Sequence, residues 1–271
     1  MFKINNLTYQ YDKTRKALNN VSMDFNKGNI IGIIGSNGSG KSTLFNNLMG
    51  ILKSTEGEIL YNGEQIKYDK KSLYNLRKEV GIVFQDPEKQ IFYSMVYDDI
   101  AFALRNIGID EKTIKERIHT ALEAVNGLQF IDRPVHNLSF GQKKRVAIAS
   151  VVAMENKLVL LDEPTAGLDP ISTRAIVDII KGLNKRGVKI VISSHDMNLI
   201  YEICDYVYVL NQGVLINEGT REEVFINEEK IDEAGLELPW LVKLHKNMGL
   251  PLFTREEDLY SYWNHREQKN V

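Results

Sequence analysis

The sequence predicts an α/β fold: a sheet core with an antiparallel β-subdomain at its N-terminus, an inserted α-helical subdomain and a C-terminal helical appendage. Three observations carry this. Ile30-Ile31-Gly32-Ile33-Ile34 is a continuous apolar run that leads into a glycine-rich loop and then a helical pattern. Leu158-Val159-Leu160-Leu161 is a second such run, and runs of this kind suit strands buried on both faces of a sheet. Between them, residues of about 86–157 turn helical in character, which sets a helical block inside a mixed strand and helix pattern.

The elements follow in order. Phe2, Ile4, Leu7, Tyr9 and Tyr11 alternate with polar residues, a strand with a break near Asn5-Asn6. Leu18, Val21, Met23 and Phe25 form a second alternating run, ended by Lys27-Gly28, and the two predict an antiparallel pair. The buried run 30–34 and a helix marked by Leu44, Leu48 and Met49 come next. Residues 58–68 read as a strand and turn around Asn62-Gly63, and Val80 to Phe84 as a short strand. Asp110 caps a helix with Ile114, Ile118, Ala121, Leu122 and Val125 on one face and Gly127 as its stop. After the run 158–161, Ile176, Ile179, Ile180 and Leu183 are in helical register, with Gly187 as the stop. Residues 188–193 are a strand, and 206–210 with 213–218 a hairpin around Asn211-Gln212. From about 226 the pattern is helical again. Leu241, Leu244 and Met248 share a face, and Thr254 with Glu257 has the spacing of a capping box.

The chain has 271 residues, about 1.8 times a nominal domain, which fits one large domain with an appendage. The 34 basic and 36 acidic residues leave a net charge of −2, so the composition offers no broadly basic surface for nucleic acid. The one cysteine, Cys204, cannot form an intrachain disulfide, which suits a reducing compartment. No stretch approaches 18 consecutive apolar residues, and the N-terminus lacks an apolar signal-peptide core. Neither a membrane span nor a signal peptide is therefore expected.

The chemistry concentrates in three segments. Gly35-Ser36-Asn37-Gly38-Ser39-Gly40-Lys41-Ser42, with Thr43 behind it, is a complete G-x-x-x-x-G-K-[ST] loop between a strand and a helix. Its backbone N–H groups and the helix N-terminus make an anion-binding concavity. Lys41 supplies a cation to β- and γ-phosphates, and Ser42 offers a hydroxyl to Mg²⁺. The pattern arises by chance in roughly one chain in a hundred of this length, and the flanking strand and helix lower that further. The second segment is the buried run ending in Asp162-Glu163. It delivers two carboxylates at the end of a strand, Asp162 placed to hold Mg²⁺ and Glu163 to orient or deprotonate water. The third, Leu138-Ser139-Phe140-Gly141-Gln142, opens a helix and is a second candidate anion site; alone it reads as a helix cap.

Taken together, these segments resemble the ATP-binding subunits of ABC transporters, over about residues 2–225. Leu138 to Gln142 is similar to the family signature Leu-Ser-Gly-Gly-Gln, with Phe140 in place of the middle glycine. Ala166-Gly167-Leu168-Asp169 looks like the family's D-loop, Ser194-His195-Asp196 its switch histidine, and Gln85 its Q-loop glutamine. The resemblance implies a P-loop NTPase (RecA-like) core over 1–225, with the helical subdomain inserted at about 86–157 and the appendage at 226–271. It also implies that two subunits meet head to tail, the partner being a second copy or a related ATPase, with each ATP between one phosphate loop and the other subunit's signature segment. Ser139 and the Gly141 N–H, in a segment that also holds Gln142, then bind the γ-phosphate across the interface. Asp169 couples the two sites, and His195 touches the γ-phosphate. Gln85 senses Mg²⁺ and the attacking water and signals to a membrane partner. Tyr11 lies against adenine, with Tyr9 the weaker substitute; a strand aromatic packed on the core is its plain alternative.

Phe84 to Phe92 is similar to the same stretch in energy-coupling-factor ATPases, and Leu138 to Ala149 to their cobalt-import branch. That likeness implies ATP-driven import of cobalt or nickel, or in a relative of vitamins. It also implies an integral membrane coupling protein, a substrate-capture membrane protein and a peripheral place on the cytoplasmic face of the membrane. A soluble relative acting on ribosomes or DNA would carry two cassettes or a long coiled coil, and this chain has one phosphate loop and no heptad run. A P-loop kinase would leave the signature segment without a task. The tail holds Leu236, Leu238, Trp240, Leu241, Leu244, Met248, Leu252, Phe253, Leu259 and Trp263. Either two tails meet and clamp the dimer, or these side chains pack back on their own core.

Overall fold

A computed structural model describes residues 1–12 and 15–267, so the last four residues of the appendage lie outside the described residues. The chain forms β1 (Phe2–Gln10), β2 (Lys16–Asp24), β3 (Ile30–Ile34), α1 (Lys41–Leu48), β4 (Glu56–Tyr61), β5 (Glu64–Gln65), α2 (Lys70–Glu79) and β6 (Val80–Val83). The helical block α3 (Val96–Asn106), α4 (Glu111–Ala124) and α5 (Phe140–Ala153) follows. Then come β7 (Leu158–Asp162), α6 (Pro170–Lys185), β8 (Lys189–Ser194), α7 (Met197–Ile203), β9 (Tyr206–Asn211) and β10 (Val214–Thr220). Four helices end the chain: α8 (Arg221–Ile226), α9 (Glu228–Glu233), α10 (Trp240–Met248) and α11 (Glu256–Glu267).

The strands make two sheets. The N-terminal one is antiparallel, in the order β2-β1-β4-β5. The break expected near Asn5-Asn6 is a bulge, where pairing slips between Ile4 and Leu7 and Asn6 takes φ 53°. The larger sheet runs β10-β9-β3-β8-β7-β6, parallel except for the edge hairpin β9–β10. That hairpin turns at Gln212-Gly213, both at positive φ, one residue later than expected; Gly213, read as the first strand residue, is a turn residue.

The apolar run in β3 is continuous because both faces of the sheet are covered. Ile31 and Ile33 point into a core shared with Phe2, Phe25, Leu44 and Phe45, between the two sheets. Ile30 and Ile34 point into a second core, shared with α3 to α7 and the appendage. β7 divides the same way, with Leu158 and Leu160 on one side and Val159 and Leu161 on the other. β3, β8 and β7 are adjacent and parallel, with Ile34 opposite Ser194 and Asp162 opposite Ser193. The phosphate loop, Glu163 and His195 thus leave the sheet at one end, as the C-terminal ends of parallel strands require.

The tail belongs to the second core. Leu238, Leu241 and Leu259 are buried in it, and Leu236, Trp240, Leu244, Leu252 and Phe253 pack against it. Only Met248 (63%) and Trp263 (47%) of the ten predicted apolar positions stay exposed. α11 begins at Glu256, so Thr254 falls one residue short of the N-cap position that the capping-box spacing assigned it; the Arg255 carbonyl accepts the N–H bonds of Asp258 and Leu259 instead. α2 was not expected, and its reason is composition: of ten residues only Leu76 is buried, and Asp69 caps it through the Lys71 and Ser72 N–H groups.

Candidate active site

The glycine loop folds as its sequence demands. Gly40 sits at φ 108°, and a side-chain carbon there would lie 2.6 Å from the Ala17 carbonyl oxygen. A carbon on Gly35 would lie 2.2 Å from the Leu210 carbonyl oxygen, so both positions need glycine. Gly40 is the N-cap of α1 and gives no side-chain cap. The N–H groups of Lys41, Ser42 and Thr43 therefore lack helical partners and face a cavity of about 440 Å³. Asn37, Gly38, Ser39, Gly40, Lys41, Ser42, Thr43, Tyr11, Gln85 and Glu163 line it. Ser36 contributes its carbonyl, which accepts from Lys41 Nζ at 3.2 Å, while the Gly35 carbonyl accepts at 2.6 Å.

Lys41 is buried, and burial pulls its pKa down, opposed by the nearby Glu163 and Asp162 carboxylates. Its Nζ lies 3.7 Å from Glu163 Oε1. The other carboxylate oxygen, Oε2, meets His195 Nδ1 at 2.8 Å. The backbone of Glu163 is held from the strand side: its N–H donates to the Ser193 carbonyl at 3.1 Å and to Ser193 Oγ at 3.0 Å. Glu163 takes φ 47°, an unusual conformation for a side-chain-bearing residue. Asp162 is buried beside it and accepts a 2.5 Å bond from Ser193 Oγ.

Two buried side-chain atoms here, Glu163 Oε1 and Ser39 Oγ, have no hydrogen-bond partner among the described residues. Orphaned polar atoms at a cavity call for a ligand or water. The donor set around them fits a magnesium polyphosphate: backbone N–H groups and Lys41 for the phosphate oxygens, and hard oxygens from Ser42 and Asp162 for the cation.

Tyr11 is 64% exposed on the cavity rim, with its hydroxyl 3.2 Å from Thr43 Oγ1 and its ring edge-on to Tyr9. An exposed ring is free to stack on a base, whereas a core aromatic is not. Asp12, Arg15 and Ala17 also line the cavity and were not picked out in the sequence. Their signal is weak, being only the place of Asp12 and Arg15 in the β1–β2 connection after Tyr11 and of Ala17 at the start of β2.

Ser139, Gly141, Gln142 and Asp169 do not line this cavity. Ser139 caps α5 in a reciprocal box with Gln142, its N–H donating to Gln142 Oε1 at 2.9 Å. Asp169 caps α6 and accepts from the Ser172 N–H and hydroxyl. The two segments touch each other, since a carbon on Gly141 would lie 3.4 Å from Leu168. Ser139, Phe140 and Asp169 are exposed, so the signature segment is surface in a single chain.

The ABC transporter family model matches residues 18–166. The cobalt import ATP-binding protein CbiO of Salmonella typhimurium is 47% identical over 261 residues, 96% of this chain and 94% of that one. The energy-coupling factor transporter ATP-binding protein EcfA of Methanocaldococcus jannaschii is 45% identical over 238 residues, 88% of this chain and 85% of that one. The solved structure of CbiO1 from Clostridium perfringens, described as part of the ABC transporter complex CbiONQ, superposes with a TM-score of 0.78 at 41% identity. It covers 90% of this chain and 98% of that one.

Proposed function

The chain belongs to the ABC transporter family and is an ATPase coupled to transport, and we propose that it powers import of cobalt or nickel ions through an energy-coupling-factor system. The observation that carries the ATPase reading is the meeting of Lys41 and Glu163 at one cavity, with His195 bonded to the Glu163 carboxylate, while Ser139 and Gly141 lie outside that cavity. One chain supplies half of a site, and a second chain facing it head to tail supplies the rest. Bound ATP with Mg²⁺ brings the phosphoryl group and a divalent counter-charge. The chain's own part is to cradle the phosphates with the loop N–H groups and Lys41, and to hold the cation with Ser42, Asp162 and Gln85. Glu163 accepts the proton of the attacking water, and His195 steers that carboxylate and contacts the γ-phosphate. Tyr11 stacks on adenine, Ser139, Gly141 and Gln142 close on the partner's nucleotide, and Asp169 couples the two sites. The cobalt assignment is supported by the 47% identity to CbiO. The EcfA relative supports an energy-coupling-factor ATPase without naming a cargo, which keeps vitamin import as the second reading.

Among the described residues no helix is long and apolar enough to cross a membrane. In this reading transport runs through an integral membrane coupling protein and a substrate-capture protein, with this subunit peripheral on the cytoplasmic face, a view supported by the similar CbiO1 being part of the CbiONQ complex. Cells expressing all three are expected to take up radioactive cobalt, and Lys41→Ala to abolish it. The same variant should weaken binding of a fluorescent ATP analogue by about 1.5–3 kcal/mol, the usual worth of a charged hydrogen bond. Parental affinity and uptake in Lys41→Ala would remove the reading, and uptake of a vitamin but not cobalt would select the second one.

The appendage offers a dimer contact through the apolar residues its own core leaves out: Met248, Tyr260 and Trp263. Cutting the chain at Phe225 would uncover Ile231, Leu238 and Leu241 sites in the main core, so the test belongs in the full chain. Light scattering without nucleotide should find a dimer, and a monomer once Met248→Glu and Trp263→Glu are combined. A parent that is already monomeric would dismiss the clamp.

A further inference from the structure

We propose that Lys144 is a positioning residue that ties the signature helix to the catalytic carboxylate of the same chain. Lys144 sits on α5, five residues after the Ser139 cap, and is 1% exposed. Its Nζ donates a 2.7 Å bond to the Glu163 carbonyl oxygen. Glu163 is the residue with the left-handed backbone, and its N–H is fixed from the other side by Ser193. The peptide groups on both sides of Glu163 are thus held, which supports its left-handed backbone, and the side chain is aimed between Lys41 and His195. A buried ammonium is costly to keep, which argues that its bond has a purpose beyond filling space.

Phe140 completes the arrangement. Its ring lies 5.5 Å from Lys144 Nζ, one helical turn away, and would touch a carbon on Gly167 at 3.5 Å. The ring therefore caps the ammonium and rests on the loop that follows Glu163. The glycine usual in the family signature would leave this lysine open to water. The departure at Phe140 and the buried Lys144 explain one another. Movement of α5 when Ser139 closes on a partner's nucleotide is transmitted, through one hydrogen bond, to the base of this chain's own site.

The inference rests on Glu163 as the base, and the test separates the two. Lys144→Met keeps an unbranched apolar stem as far as Cε and removes the donor. It should lower kcat for ATP about 10- to 100-fold, the cost of misplacing a reacting group, with KM little moved. Joined to Glu163→Gln, it should add no further loss, because there is no base left to position. A purely structural lysine would lower stability in both backgrounds and add its loss to the double variant. Parental kcat in Lys144→Met, or additive losses, would overturn the proposal while leaving the base intact. High turnover in Glu163→Gln alone would instead overturn the base. If Lys144→Met does not fold, Lys144→Leu, which also lacks a donor, takes its place; failure of both to fold would assign the lysine to the core and end the proposal.

Discussion

Glu163→Gln is expected to bind ATP as the parent does and to lose about 10²- to 10⁴-fold in hydrolysis, the usual worth of a general base. The substitution keeps the volume of a side chain that is almost wholly buried. An amide can still bond His195 Nδ1 through one end, so the 2.8 Å contact need not be lost. What it removes is the proton acceptor at Oε1, the atom that has no hydrogen-bond partner among the described residues and pairs with Lys41 at 3.7 Å. Binding should survive because the loop N–H groups and Lys41, not Glu163, hold the phosphates. With chemistry slowed, the nucleotide-bound closed dimer should accumulate and be visible by light scattering with ATP and Mg²⁺. Phosphate release near the parental rate would show that another group takes the proton.

The parts of the site that were legible in the sequence are those where backbone chemistry restricts residue choice. The loop at 35–42 needs glycine at Gly35 and Gly40 because backbone oxygens stand where a side chain would go, and that requirement is written into the chain. β3 and β7 were legible because both faces are buried, leaving the unbroken runs 30–34 and 158–161 without a polar side chain. α4 announced itself by its cap at Asp110 and its one apolar face. α7 did not, since five of its seven residues are buried and no polar face marks the period. Sheet order was not legible, because it is settled by contacts between segments far apart in the chain. The same reason hid Lys144. In a run of Lys143, Lys144 and Arg145, nothing local tells which cation turns inward to the Glu163 carbonyl. The tail is the opposite case: its apolar residues were legible, but composition alone could not say which of them cover their own core.

Ser139→Arg is expected to leave nucleotide binding intact and to stop hydrolysis. Ser139 lies outside the cavity that holds Lys41, so an arginine there does not meet the chain's own nucleotide. Losing the cap of α5 costs about 1 kcal/mol, too little to unfold a domain of this size. The damage must then come from a second chain: a bulky cation stands where the partner's γ-phosphate site has to close. This geometry makes a sharper demand on a mixed dimer of one Ser139→Arg subunit and one Lys41→Ala subunit. If sites form across the interface, the altered loop faces the altered signature segment and both lesions fall in one site. The other site keeps a native Lys41 and a native Ser139. Such a dimer should trap one nucleotide per dimer, while either homodimer traps none in a closed site. If each chain built its site alone, every site in the mixed dimer would carry one lesion and both would fail equally. Counting occluded nucleotide per dimer after rapid filtration decides between these arrangements, because only the cross-interface geometry leaves an intact site when both subunits are defective.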